Sequence, residues 1–184
     1  WGFTTGEYQV PGEAELEELA AKIDYNAVEL DESTCSVRLP QGMELDLGAV
    51  AKGWTGRCLA ELLRQSGVKS AVVALGGKAQ TVGTKPGGSS WRVGIQDPAG
   101  SQGAYLATVA VEDKAVVTSG GYQRYFTAPD GTVYQHILDP KTGYPVQSDL
   151  TSVSVVTRGG FGGQGTRADD YSNDLYVMRA LIQI

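Results

Sequence analysis

The chain has 184 residues, 41% apolar and 20% charged, enough for one globular domain with a sizeable core. Its net charge is −6 with Lys and Arg scattered along the sequence, which argues against a nucleic-acid-binding surface. No apolar run reaches membrane-spanning length, so no transmembrane segment is expected in this chain.

In chain order, Pro11-Gly12 precede a predicted helix over Glu13–Ile23, where Leu16, Leu19, Ala20 and Ile23 recur at helical spacing. Three short segments, Ala27–Leu30, Cys35–Leu39 and Met43–Leu47, are separated by polar turns and predict a small antiparallel meander. Ala49–Ser66 reads as the main helix, burying Val50, Trp54, Cys58, Leu59, Leu62 and Leu63 and stopped by Gly67. From Ser70 the texture is β: Ser70–Leu75, Trp91–Gln96, Ala104–Glu112 and Ala115–Thr118. Tyr122–Thr127 and Thr132–Leu138 follow on either side of Pro129-Asp130-Gly131, a hairpin signal, and Thr151–Thr157 is one more strand. A glycine-rich loop, Gly159–Gly165, leads to a last helix from about Thr166. These elements define an α+β domain with a largely antiparallel sheet flanked by helices. Cys35 and Cys58 lack a CxxC spacing, and a disulfide between them is left open.

Four segments carry chemistry. In Asp46-Leu47-Gly48-Ala49-Val50-Ala51-Lys52-Gly53 a helix start offers backbone N–H groups, with Lys52 adding charge; an Asp cap and a solvated Lys are the plainer reading. Gly76-Gly77, followed by Trp91-Arg92-Val93-Gly94-Ile95-Gln96-Asp97-Pro98, lets a ligand meet main chain, but hairpin turns explain it equally well. Neither a GxGxxG fingerprint nor a P-loop is present. His136, the only histidine, lies between Ser119-Gly120-Gly121-Tyr122-Gln123-Arg124 and Asp139-Pro140-Lys141-Thr142-Gly143-Tyr144-Pro145. Tyr122, Arg124, Tyr134 or Asp139 could orient it as a base. Asp169 and Asn173 share a helix face and suit Mg²⁺, although an acidic helix start needs no ligand to explain it.

Taken in succession, DLGAVAKGW, LGG, WRVGIQDP, SGGYQRYF, HILDPKTGYP and an AD leading into a helix resemble the FAD:protein FMN transferase family, the ApbE-type flavin transferases, over almost the whole chain. The resemblance implies a two-lobed α+β domain over residues 1–184, lacking the family's N-terminal section and short at its end. It also implies FAD as substrate, Mg²⁺ on the pyrophosphate, and FMN transfer to a threonine of an acceptor flavoprotein with release of AMP. By position it makes Asp169, the carbonyl of Ala49 and Asn173 the metal ligands, and His136 the base that deprotonates the acceptor hydroxyl. Lys52, Gly76, Gly77, Ile95, Asp97, Pro98 and Ser119 then fall on segments lining the FAD site. It further implies an extracytoplasmic, lipid-anchored protein. The sequence departs from the family at Ala74 and Lys78, where asparagines are common on either side of LGG, at Gly121, and at Asn173 in place of Thr. Two other readings stand beside transfer: a Mg²⁺-dependent FAD pyrophosphatase giving FMN and AMP, and a flavin-binding module without catalysis.

Overall fold

The β texture predicted from Ser70 onward is realised, and every strand pairing among the described residues is antiparallel. The structure is a computed structural model that describes residues 1–158. The Gly159–Gly165 loop and the final helix, with Asp169 and Asn173, lie outside the described residues. The chain divides into two compact units, Trp1–Asp46 with Gln123–Gln147, and Leu47–Tyr122 with Ser148–Ile184.

The first unit begins with an aromatic segment and helix α1, Glu13–Ala20. This helix ends before the predicted Ile23, because Lys22 and Ile23 donate to Leu19 and Ala20, the i to i−3 pattern that tightens and closes a helix. The expected meander is reduced to one hairpin, β1 (Glu29–Asp31) and β2 (Ser36–Arg38). Met43–Leu47 forms no strand. A second hairpin joins β8 (Tyr125–Thr127) to β9 (Val133–Gln135) through the predicted Pro129-Asp130-Gly131 turn, where the Asp130 carboxylate accepts from the Thr132 N–H at 2.9 Å. The unit is packed by rings: Phe126 stacks on Tyr8 at 5.0 Å and on Tyr134 at 5.4 Å, with Trp1 and Phe3 against it at 6.5 and 5.6 Å.

The second unit is built on helix α2, Gly48–Gln65, and a four-stranded sheet. Its strands are β3 (Ala71–Ala74), β4 (Lys78–Val82), β7 (Lys114–Gly120) and β10 (Ser152–Arg158), in the order β10-β7-β4-β3. A ribbon of β5 (Trp91–Gln96) and β6 (Tyr105–Val111) is paired separately.

One expectation is corrected here. The predicted large residues do not form the buried face of α2: Trp54 and Leu62 are more than half exposed, while Gly53, Gly56 and Ala60 are buried. These three small residues fall three and four apart on one face, and without bulk they let the helix lie close on β4 and β3. Along β6 only Val111 is buried.

Strand β4, absent from the sequence reading, is the most buried strand among the described residues, with Lys78, Gln80, Thr81 and Val82 all at 2% exposure or less. Its polar residues disguise it. Thr81 is tolerated in the core because its hydroxyl accepts from the Lys114 N–H at 3.0 Å and donates to the Lys114 carbonyl at 3.1 Å. Both cysteines are free thiols.

At the end of α2 the Arg64 guanidinium meets Asp113 at 2.7 Å, and the same carboxylate oxygen accepts from the Gly83 N–H at 2.9 Å. The Gly83 amide first, and Arg64 second, hold the Asp113 carboxyl below the ordinary aspartate range. A depressed carboxyl stabilises the fold above its unfolded pKa, and that contribution disappears as pH falls through the folded value. Asp113→Asn keeps the side-chain oxygen and removes the charge. It is therefore expected to cost up to about 1 kcal/mol at pH 7, the Asp113 carboxylate being solvent-exposed, and less at a lower pH as the folded carboxyl takes up its proton. Urea unfolding of both proteins at the two pH values checks this, and an equal loss at both would separate the effect from charge.

Candidate functional site

In the first unit, His136 follows β9 directly rather than alternating within it, and is half-buried. Both its main-chain N–H and its ring Nδ1 lie on the carbonyl of Arg124, at 3.2 and 3.1 Å. With Nδ1 carrying the proton toward that carbonyl, the basic lone pair resides on Nε2. A main-chain carbonyl thus orients the ring, a kind of group not considered from the sequence. Tyr134 is committed to the aromatic cluster, 5.0 Å from Trp1. Asp139 accepts from the Lys141 N–H at 2.8 Å and shapes its own turn. Tyr122 belongs to the second unit, where burial raises its pKa and its ring lies over Gly120. The Arg124 guanidinium instead donates to the carbonyl of Phe3.

The chain after His136 is a rigid loop. Ile137 and Val146 are joined by a main-chain bond at 2.9 Å, and Asp139 both donates to the Tyr144 carbonyl and accepts from Gly143, each at 2.8 Å. The Trp1 indole donates to the Gly143 carbonyl at 2.8 Å. Gly143 has φ +70, and a Cβ there would stand 3.2 Å from Leu16 of α1, so this position calls for glycine on both counts. Phe3 presents its edge to His136 at 6.4 Å. Trp1 and Phe3 therefore build the surroundings of His136. The sequence reading missed them, although the aromatic density of the first residues was a usable signal.

In the second unit, Ala49 and Lys52 are exposed on the first turn of α2. That turn holds no acidic residue, and Leu47 before it offers no side-chain cap, so its main-chain N–H groups carry the partial positive charge of a helix start. Gly76 and Gly77, at φ +40 and +82, are the central residues of the turn joining β3 to β4, closed by Leu75 and Lys78 exchanging main-chain bonds at 2.9 and 3.3 Å. Two consecutive positive φ values are what a two-residue hairpin turn demands. Turn chemistry is thus enough to explain the pair.

The Gly77 carbonyl accepts from the Thr118 N–H at 2.9 Å, bringing Ser119, half-buried on β7, beside the turn. Ile95, Asp97 and Pro98 stand on the separate ribbon. Asp97 closes the loop between β5 and β6 by accepting from the Ala99 and Gly100 N–H groups, through its carboxylate at 3.0 Å and its carbonyl at 3.1 Å. Gly94 in that segment is covered by the Tyr105 ring, 2.4 Å from where a Cβ would sit. Asp169 and Asn173 lie outside the described residues. Among the described residues there is no group of three or more His, Cys, Asp or Glu side chains that could hold a metal ion. Ala49 alone of the expected ligands is described, and one main-chain carbonyl does not make a Mg²⁺ site.

Antiparallel sheets, a glycine hairpin turn tied to its neighbouring strand, a helix start and a histidine fixed by main chain define an α+β protein of neither the dinucleotide-fold nor the P-loop kind. Residues 1–181 match the ApbE family, and the chain belongs to it. It is 41% identical to a FAD:protein FMN transferase of Klebsiella pneumoniae, over 82% of this chain and 46% of that protein. It is 36% identical to one of Treponema pallidum, over 97% of this chain and 51% of that protein. An ApbE protein from Thermotoga maritima superposes with a TM-score of 0.87 at 33% identity, covering 98% of this chain and 56% of that one. The chain spans about half the length of the curated relatives it matches.

Proposed function

We propose that the chain is part of a FAD:protein FMN transferase and contributes His136 as general base. The observation that carries this reading is the Nδ1 contact of His136 with the Arg124 carbonyl, within a chain of the ApbE family. A histidine pinned at Nδ1 presents Nε2 as the proton acceptor. The oxygen of an acceptor threonine attacks the phosphorus on the FMN side of the FAD pyrophosphate, and its proton passes to Nε2. The bond from that phosphorus to the bridging oxygen breaks, AMP leaves with the bridging oxygen, and FMN remains on the acceptor as a phosphoester.

The pyrophosphate must be received by a protein of net charge −6. The first turn of α2 with Lys52, and the main chain of Gly76 and Gly77 beside Ser119, are the groups that would receive it. The resemblance adds Mg²⁺ held by the Ala49 carbonyl, Asp169 and Asn173. The described residues do not by themselves fit that ion.

The test is to incubate the chain with FAD, with and without an acceptor flavoprotein, in Mg²⁺ and in EDTA. Covalently flavinylated acceptor with matching AMP supports transfer, and AMP independent of acceptor marks hydrolysis instead. Intact FAD in every arm, with the acceptor unlabelled, would overturn the reading for this chain. If the ion is used as the resemblance implies, Asp169→Ala is expected to lose turnover and Mg²⁺ dependence together. Coincident Mg²⁺ titrations of variant and parent would remove Asp169 from the site.

A further inference from the structure

Strand β4 opens with Lys78, one residue past the Gly76-Gly77 turn and 2% exposed. Its ammonium donates to the main-chain carbonyl of Gly53, in the second turn of α2, at 3.1 Å. A Cβ on Gly56 would stand 3.0 Å from Lys78 Cε and 3.5 Å from Nζ, so the lysine stem runs along the glycine face of the helix. Leu75, on the other side of the turn, reaches within 3.6 Å of the same point. Filling this groove does not require a charge: methionine or leucine would do so without the cost of desolvating an ammonium. What the ammonium adds is a directed bond between two stretches 25 positions apart in sequence.

We propose that Lys78 is a positioning residue: its buried ammonium ties the Gly76-Gly77 turn to the start of α2, so that a phosphate-bearing ligand meets both at a fixed separation. The identity of that ligand rests on the flavin-transfer reading; the tie does not.

Lys78→Met tests it, because methionine carries the stem as far as Cε and removes only the ammonium. Amide hydrogen exchange of the ligand-free chain and FAD titration of the same samples are the two readouts. Protection over the first turns of α2 is expected to fall about tenfold, the scale of a lost hydrogen bond to a charged group, with the β7–β10 pairing unchanged. FAD affinity is expected to fall by a similar factor. Gly56→Ala is the second variant, since its methyl presses on Lys78 Cε. It should loosen the same amides. Unchanged protection at the start of α2 in Lys78→Met would overturn the tie. Lost protection with unchanged FAD affinity would overturn the positioning role. If the parent chain itself binds no FAD, the flavin reading fails, and the exchange comparison still decides the tie.

Discussion

Replacing His136 by alanine is expected to lower FMN transfer by about 10² to 10⁴, the usual span for a general base, while FAD affinity changes less than about twofold. The asymmetry follows from the assigned role. The imidazole acts on the proton of the acceptor hydroxyl, whereas the groups assigned to the pyrophosphate are main chain and lysine in the second unit. Alanine is a fair probe because the loop does not depend on the ring. The His136 N–H keeps its bond to Arg124, and the Ile137–Val146 and Asp139–Tyr144 bonds are main chain. The readouts are covalent flavin on the acceptor and fluorescence titration with FAD. Undiminished transfer by the variant would remove His136 from the mechanism. A parallel collapse of FAD binding would make it a ligand contact rather than a base.

The segments assigned to the site were legible in the sequence, but the reasons for their residues were legible only in part. Gly76-Gly77 could be read as a turn or as a ligand approach, and the positive φ values show that the turn alone demands glycine. Asp97, which the resemblance places on the segments lining the FAD site, also caps its own loop. The orienting partner of His136 was sought among side chains, because composition reveals side chains and hides carbonyls. Residues 3 and 124 are brought to the histidine by a fold that pattern reading does not supply. The hidden strand β4 makes the same point. Lys78, Gln80 and Thr81 are polar, and only their pairing with α2 and β7 makes them core. Helix α2 misled in the opposite direction. Its large apolar residues mark the obvious stripe, but the sheet takes the face with the smallest side chains, where backbone can come closest.

A large effect on stability is expected from Gly83→Ala. Gly83 follows β4 with φ +53, a conformation that costs alanine about 1–2 kcal/mol. The added Cβ would also lie 2.1 Å from the Lys69 carbonyl oxygen, far inside the roughly 3.3 Å at which carbon and oxygen meet. Lys69 leads into β3, so relieving the contact means parting the far ends of the β3–β4 hairpin. That motion would strain the Ala71–Val82 pair and the Ser70 hydroxyl bond to the Thr84 carbonyl, 2.6 Å. It would also draw the Gly83 N–H away from Asp113. The combined loss should exceed about 3 kcal/mol, a fall in Tm of roughly 10 °C for a chain of this size. Gly88→Ala is the matched control: φ is +86 and no atom lies within 4 Å of the added methyl, so only backbone strain remains, about 1–2 kcal/mol. Thermal unfolding of the two variants separates the causes. A loss at Gly83 no larger than at Gly88 would mean that the strand ends yield freely, and that the close approach of Lys69 to Gly83 does not hold the β3–β4 hairpin.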